Sequence, residues 1–473
     1  MTNLEFARRT IAAIRSLGVT DFCVCAGSRN APLLAVLGKT QQIKIYTFVD
    51  ERSAAFFALG VGKRLGRPAC VVTTSGTAVA ELLPASIEAH YSGVPLVLLT
   101  ADRPARFRGT GAQQSIDQQG IFGVHATTRI DDWNGRGALH VNVEFDEPLI
   151  DDEVEADAPW PVRMKARVTP DVTPVPIPFE KPLVLIGGLS QSTDAEDRDR
   201  VREFALGLNA PVYAEPLSGL REDEALRDLL VLNERSLSRG GFDGVIRIGN
   251  VPTLRFWRDL DRSDLGLLSF NELTFPGLSR GEVHPIEALP VGQPRTRDDA
   301  FFARDREQRA RFEAILDGEP ESELAIFRKL SRELPLGSRI YLGNSLPIRE
   351  WDLAATREQR GYVIEANRGA NGIDGQLSTA FGWNADVAIV GDLTALYDLN
   401  APWIQSKTSV IVINNRGGRI FERVPTGAPE LAINEHAISF EKWAAMFGID
   451  VTEVRPDAEA SRRVWQLYDE LWA

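Results

Sequence analysis

Apolar residues recur at two spacings along this chain. Leu4, Ala7, Ile11, Ile14 and Leu17 return every three or four positions and predict a helix that Gly18 ends. Short apolar runs then alternate with helical patterns. Strands are expected at 21–25, 45–49, 69–73 and 96–99, with helices starting at Asn30, Ser53 and Ala78. This is the rhythm of βαβ units, which build a mostly parallel sheet covered on both faces. A second such segment opens at 183–186 and runs through 245–248. A third begins near Glu321, with strands at 339–342, 362–365, 387–390 and 410–413. The first and third segments read as loose copies. Strand, glycine, serine and helix follow one another at 22–35 and again at 340–354, and a matching strand–helix–strand pattern occupies 46–74 and 362–392. The expected fold class is therefore α/β, with three doubly wound parallel-sheet domains at 1–158, 183–318 and 319–473. A linker is expected at 159–182, where seven prolines follow the acidic run Asp151 to Asp157. The charged stretch from Arg295 to Arg311 predicts a bridging helix with a solvated face.

Composition narrows the function. The net charge of −13 argues against a nucleic-acid partner or an anionic membrane surface. No apolar run approaches the ~18 residues of a membrane helix. Glu5, Arg8 and Arg9 within the first helix pattern do not make a signal peptide, and three cysteines cannot build a disulfide framework in 473 residues. A cytoplasmic protein is expected. Cys23 and Cys25 share one strand face and lack ligand partners at metal spacing, so packing is their expected role. Arginine outnumbers lysine 45 to 8. Codon composition explains such a bias, and so do guanidinium forks that bind carboxylates in a site.

Candidate chemistry gathers at strand ends. Asp392 closes the strand expected at 387–390, and Asn415 closes the next one. Carboxyl ends of parallel strands are where α/β sheets bind ligands. A carboxylate with an amide oxygen suits a hard cation such as Mg²⁺, and Gly417 and Gly418 allow close backbone approach to phosphates. Turn formation alone accounts for the same residue types. Glu51 opens a helix, where an acid is commonly a cap. Ser28 with Arg29, Arg103, and Gln113 with Gln114 each follow a strand and face either a ligand or a turn. The loop 367–375 holds three glycines and, unusually for a loop, the bulky Ile373. Ile186-Gly187-Gly188 lacks dinucleotide-binding spacing. The five histidines form no motif with a carboxylate or serine, which leaves a hydrolase triad without support.

The pair GDL and NN resembles the thiamine-diphosphate motif that holds a metal ion and a diphosphate. That motif alone leaves acetohydroxyacid synthases and oxo-acid decarboxylases open. GSRNAPL, DERSAAFFALG, TSGTA, EAHYSGVPL, TADRP, GTGAQQSIDQ, NSLPIR, NRGANGIDG, GDLTALYDLN and NNRGGRIF together resemble the 2-succinyl-5-enolpyruvyl-6-hydroxy-3-cyclohexene-1-carboxylate synthase family of menaquinone biosynthesis. The likeness runs from Gly18 to Pro425 and is weakest in the middle segment.

The resemblance implies three α/β domains of the thiamine-diphosphate enzyme type: pyrimidine-binding, central and diphosphate-binding. It also implies a homodimer or homotetramer with the cofactor at the subunit interface. The implied reaction adds 2-oxoglutarate, with loss of carbon dioxide, to isochorismate. Glu51 matches the glutamate that exchanges a proton with the aminopyrimidine. Gly391, Asp392, Leu393, Asn415 and Gly417 match the diphosphate motif, with Asp392, Asn415 and the Gly417 carbonyl as ligands to Mg²⁺ or Mn²⁺. Ile373 matches the wedge under the bent cofactor. Ser28, Arg29, Arg103, Gln114, Ser345, Arg349, Arg368, Ile420 and Phe421 match the substrate pocket. Arg255 stands where the family usually has lysine, and Arg416 interrupts what is often a third Asn. The family also continues past the last helix seen here, so a missing edge element is expected in the third sheet. Two other functions fit these features: another thiamine-diphosphate oxo-acid enzyme, or a non-catalytic regulatory or assembly protein on the same fold.

Overall fold

The computed structural model describes residues 1–153, 172–189, 195–424 and 427–473. The end of the acidic run and the 159–171 part of the expected linker lie outside the described residues. Three parallel sheets are present. The first contains β1 (Asp21–Cys25), β2 (Lys44–Phe48), β3 (Ala69–Thr73), β4 (Leu96–Asp102), β5 (Ala126–Thr127) and β6 (Ala138–Glu144), in the order β2-β1-β3-β4-β6-β5. The second contains β7 (Pro182–Ile186), β8 (Val212–Ala214), β9 (Gly244–Ile248), β10 (Gly266–Phe270) and β11 (Val283–His284), in the order β11-β10-β9-β7-β8. The third contains β12 (Arg339–Leu342), β13 (Val363–Glu365), β14 (Val387–Gly391), β15 (Ser409–Ile413) and β16 (Val451–Val454), in the order β13-β12-β14-β15-β16. The first and third sheets begin with the same strand order, as expected of loose copies. Every residue of β1, β3 and β4 is buried, which is why these strands read as unbroken apolar runs.

Several boundaries and roles differ from expectation. The helix expected from Ser53 starts at Glu51, because the Asp50 side chain accepts the Ser53 N–H at 3.2 Å and caps it. Residues 172–181 of the expected linker pack on the central domain. The Val175 N–H donates to the Ala288 carbonyl at 2.9 Å, and the Phe179 ring fills the space beside Gly244 and Gly266. The helix Asp299–Gly318 is not merely solvated. It buries Phe301, Phe302, Phe312 and Leu316, and its buried Asp305 accepts hydrogen bonds from Leu232 N–H (2.7 Å) and Asn233 Nδ2 (2.8 Å). The charge count hid an apolar stripe and one acid that satisfies backbone donors. At the far end of the third sheet β16 pairs with β15, and the helix Ala458–Leu471 buries Val464 and Tyr468 beside it. That sheet has five strands and the first has six. All three cysteines are free and buried, in line with packing.

The first and third domains share one core. The helix Glu51–Leu65 lies against the helix Gln376–Trp383, and two glycines let their backbones meet. A Cβ on Gly60 would lie 2.1 Å from the Thr379 carbonyl oxygen, and one on Gly382 would lie 2.0 Å from that of Phe57. Ser53 and Ser378 exchange a buried hydrogen bond across the crossing at 2.8 Å. Side chains cannot relieve a clash with backbone, so overpacking here should cost at least the usual ~1–3 kcal/mol. Gly382→Ala is therefore expected to lower the melting temperature by several degrees, and differential scanning calorimetry measures it. An unchanged melting temperature would mean that the two helices separate easily.

Candidate active site

Strand register brings the sequence candidates to carboxyl ends on two sheets. On the third sheet, Gly391 pairs with Ile413, so Asp392 and the Asn414–Asn415 turn emerge side by side. Asp392 is buried. Its Oδ1 accepts the Leu393 N–H at 2.6 Å and its Oδ2 accepts the Gly417 N–H at 2.8 Å. Burial nevertheless raises its carboxyl above the usual range, against the pull of those two N–H groups. Gly417 has φ +131°, a conformation that favours glycine. The Asn415 Nδ2 donates to both carboxyl oxygens of Glu323, at 3.2 and 3.0 Å. Its Oδ1 is buried and has no partner among the described residues. A buried carboxylate and an orphaned amide oxygen are groups that suit a hard cation, while the Gly417 carbonyl accepts the Arg419 N–H at 2.9 Å and keeps one lone pair. These residues fit the implied metal. Ile420 and Phe421 follow on a short turn of helix, with Phe421 partly exposed.

His436 was unforeseen. Its Nε2 lies 3.2 Å from Asp392 Oδ2, so one histidine meets a carboxylate to which no sequence motif links it. The two are 44 positions apart in sequence. They meet because the chain after Gly427 folds back across the strand ends, with the Gly418 N–H donating to the Ile433 carbonyl.

A second cluster surrounds the ends of β12 and β13. Arg368 Nη1 donates to Asn344 Oδ1 at 2.7 Å, while its Nη2 is buried and unpartnered. Burial pulls its pKa down to about 10. Arg349 is in its field and is lowered by burial and then by Arg258. Ser345, whose carbonyl accepts from Arg349, has φ +72°. Gln114 (φ +51°) and Arg416 (φ +65°) are also left-handed. Such strain concentrates at functional sites. The central domain adds Glu215, buried and raised to about 7 chiefly by desolvation, with Arg368 and Asp352 among its charged neighbours. Arg255 stands apart, with its side chain 80% exposed and paired to Asp259 at 3.6 Å.

The 367–375 loop carries Arg368 and Ile373, and the first domain holds it. The buried Glu88 on the helix Leu83–Ser92 accepts the Gly369 N–H at 2.8 Å and the Ala370 N–H at 2.7 Å, one on each carboxyl oxygen. Asn344 Nδ2 donates to the carbonyls of Asn367 and Gly372, both at 2.7 Å. Sequence reasoning missed Glu88, Glu215, Glu323 and His436. Only the EAHYSGVPL segment, which contains Glu88, had been singled out at all.

The first sheet carries the other candidates. Glu51 is half-buried at the end of β2. Desolvation raises its carboxyl, and Asp50 and Glu81 push it the same way. Arg29 is buried, donates to the Phe145 carbonyl at 3.0 Å and pairs with Glu147 at 3.2 Å. Arg103 Nε donates to the Gln113 carbonyl at 2.9 Å, and Ser75 Oγ donates to that of Gln114 at 2.8 Å. Ser28 is exposed beside them. Glu51, Ser28, Arg29, Arg103 and Gln114 make no hydrogen bond or ion pair with the third-sheet candidates among the described residues.

Residues 4–121 match the family model for the thiamine pyrophosphate enzyme N-terminal TPP-binding domain. The 2-succinyl-5-enolpyruvyl-6-hydroxy-3-cyclohexene-1-carboxylate synthase of Bdellovibrio bacteriovorus is 37% identical, with 100% of each chain covered. The synthase of the same name from Akkermansia muciniphila is 38% identical over 95% of this chain and 92% of its own. A solved structure of a putative thiamin diphosphate-dependent enzyme from Mycobacterium smegmatis superposes with a TM-score of 0.67 at 17% identity, covering 100% of this chain and 97% of that one. That structure supports the three-domain fold. These two relatives and the matched family model place the chain in a family: it belongs to the 2-succinyl-5-enolpyruvyl-6-hydroxy-3-cyclohexene-1-carboxylate synthases, thiamine-diphosphate-dependent transferases.

Proposed function

We propose that this chain adds 2-oxoglutarate, with loss of carbon dioxide, to isochorismate in menaquinone biosynthesis, using thiamine diphosphate and Mg²⁺, with Mn²⁺ as a substitute. The C1–C2 bond of the oxo acid breaks, its electron pair forms a bond to the isochorismate ring alkene, and a proton completes the neighbouring carbon. Thiamine diphosphate, when bound, supplies the electron sink that makes this cleavage accessible. The observation that carries the reading is Arg368. It is a buried guanidinium with a free donor, close to Arg349 and on the same sheet end as the metal cradle. Both substrates bring carboxylates, and a desolvated arginine fork is suited to them.

The other residues take roles that follow from their surroundings. Asp392, Asn415 Oδ1 and the Gly417 carbonyl would hold the cation, and the neighbouring Gly391 and Leu393 would line the diphosphate. Glu51, whose carboxyl is raised by burial, would hold and return a proton at the pyrimidine nitrogen. Glu88 and Asn344 set the loop that presents Arg368 and Ile373. Ser28, Arg29, Arg103 and Gln114 form the facing wall. In this reading a second copy unites the two sets of candidates, in a dimer or tetramer. Support comes from exposed apolar groups beside Glu51: Val49 at 63% and, from the third domain, Tyr397 at 53% and Trp403 at 50%. Trp403 Nε1 donates to the Thr47 carbonyl at 3.0 Å, which places that patch next to β2. Among the described residues no helix is long and apolar enough to cross a membrane.

Turnover of 2-oxoglutarate with isochorismate is the decisive assay, and turnover of another oxo acid alone would overturn the substrate assignment. Glu51→Gln should lower kcat by roughly 10²–10⁴-fold while retaining cofactor, since the amide matches the shape and cannot pass the proton. Asp392→Ala should abolish Mg²⁺-dependent binding of thiamine diphosphate in calorimetry, and unchanged affinity would move the metal elsewhere. Arg368→Ala should raise KM for a carboxylate substrate roughly ten- to a hundred-fold, the equivalent of ~1.5–3 kcal/mol for a charge-assisted contact. Arg368→Lys should remain poor, and cofactor affinity should hold in both variants. Joint loss of cofactor and thermal stability would instead make Arg368 a loop brace.

A further inference from the structure

The Asn415 amide has two unlike ends, and only one can serve a cation. Its Nδ2 faces the carboxyl oxygens of Glu323 at 3.2 and 3.0 Å, and its Oδ1 is buried with no partner among the described residues. A carboxyl group offers Asn415 an acceptor in either protonation state, and both Glu323 oxygens accept from Nδ2 here. Glu323 therefore selects one of two amide orientations of nearly equal shape. The selected one frees the oxygen.

Glu323 is itself held in place. It is 5% exposed and opens the helix Glu323–Glu333, which Ser322 caps by accepting the Ala325 N–H. Its own N–H donates to Ser461 Oγ at 3.0 Å, on the helix Ala458–Leu471. The neighbouring turn is tied to the same helix end, where the Asp457 N–H donates to the Glu321 carbonyl at 2.9 Å. On the far side of Asn415, its backbone carbonyl accepts Arg419 Nε at 3.0 Å. Both backbone and amide of Asn415 are thus anchored from outside the strand end, and Oδ1 is the one polar atom of its side chain left for a ligand.

We propose that Glu323 is a positioning residue for the metal site: its hydrogen bonds from Nδ2 fix the Asn415 amide with Oδ1 free for the cation. The inference rests on the cofactor reading above. It extends the site beyond the residues in direct reach of a metal, to an acid 92 positions away in sequence on a different helix. Outer partners that orient a metal ligand typically account for 10–100-fold in affinity.

The test is titration calorimetry of Mg²⁺ into protein saturated with thiamine diphosphate, with the melting temperature of each cofactor-free variant recorded alongside. Glu323→Ala should weaken Mg²⁺ by roughly 10–100-fold. Glu323→Gln keeps the shape and one acceptor oxygen, so it should recover most of that loss. The deciding arm is a double-mutant cycle with Asn415→Ala. If Glu323 acts through Asn415, adding Glu323→Ala to Asn415→Ala should weaken Mg²⁺ no further. Equal losses in both backgrounds would make Glu323 a general fold brace and overturn the proposal. Wild-type Mg²⁺ affinity in Glu323→Ala would overturn it as well. If Glu323→Ala does not fold, Glu323→Met, close in length and without an acceptor, carries the cycle and the same outcomes apply. Asp392→Ala separates the two levels. Loss of Mg²⁺ there with none in the Glu323 variants defeats this inference alone, whereas no loss in Asp392→Ala defeats the metal reading beneath it.

Discussion

The backbone contact between the helices Glu51–Leu65 and Gln376–Trp383 is the constraint on which the rest of the molecule depends. Gly60 and Gly382 let two helices from different domains meet where any side chain would strike a carbonyl oxygen. The residues around them form a single apolar core that includes Phe56, Leu59, Leu377, Phe381, Ala388 and Val412, so the first and third sheets are not independent bodies. Glu51 opens one of these helices, and the Ile373 loop leads into the other. The crossing therefore sets the position of Glu51 and of the Ile373 loop together.

Around that crossing, polar contacts join the two domains, some at the surface and some buried. Glu88 reaches from the first domain to two N–H groups of the third, and Lys63 beside it donates to Glu365 at 2.9 Å and to the Ala366 carbonyl at 2.7 Å. Charge is desolvated at each point, and each charge meets a fixed partner, as buried charges require. Among the described residues Arg368 Nη2 and Asn415 Oδ1 are two of the buried polar atoms that have no partner. A buried polar atom left unsatisfied at a strand end is where a ligand gains. Here one is a donor suited to carboxylate and the other an acceptor suited to a cation.

The central domain supports this arrangement from a third side. Glu215 accepts from Thr253 N–H at 3.0 Å while lying in the field of Arg368. Arg221, buried, donates to four carbonyls at the end of the helix Leu346–Ala354, which begins just after Ser345 and carries Arg349. The domain with the weakest family likeness thus holds the helix on which part of the expected pocket sits.

Much of this was legible in the chain before any coordinates. Apolar periodicity placed β1, β3 and β12 to the residue, because strands buried on both faces are unbroken apolar runs closed by turn residues. Asp392 and Asn415 were visible as polar residues ending such strands, and a motif resemblance turned that pattern into an expected cofactor site. What tertiary structure alone decided is pairing across long separations. Glu88 with the loop at 369–370, Glu323 with Asn415, and His436 with Asp392 involve acids and a histidine whose local surroundings look like ordinary helix or loop surface. The Asp299–Gly318 helix bridges the central and third cores and keeps a solvated face as expected, but its buried face was hidden for the same reason, since a high charge count conceals it. Hydrophobic periodicity is a local property and survives in one dimension. The satisfaction of a buried polar group depends on which distant backbone or side chain folding brings to it, and no window along the sequence contains that information.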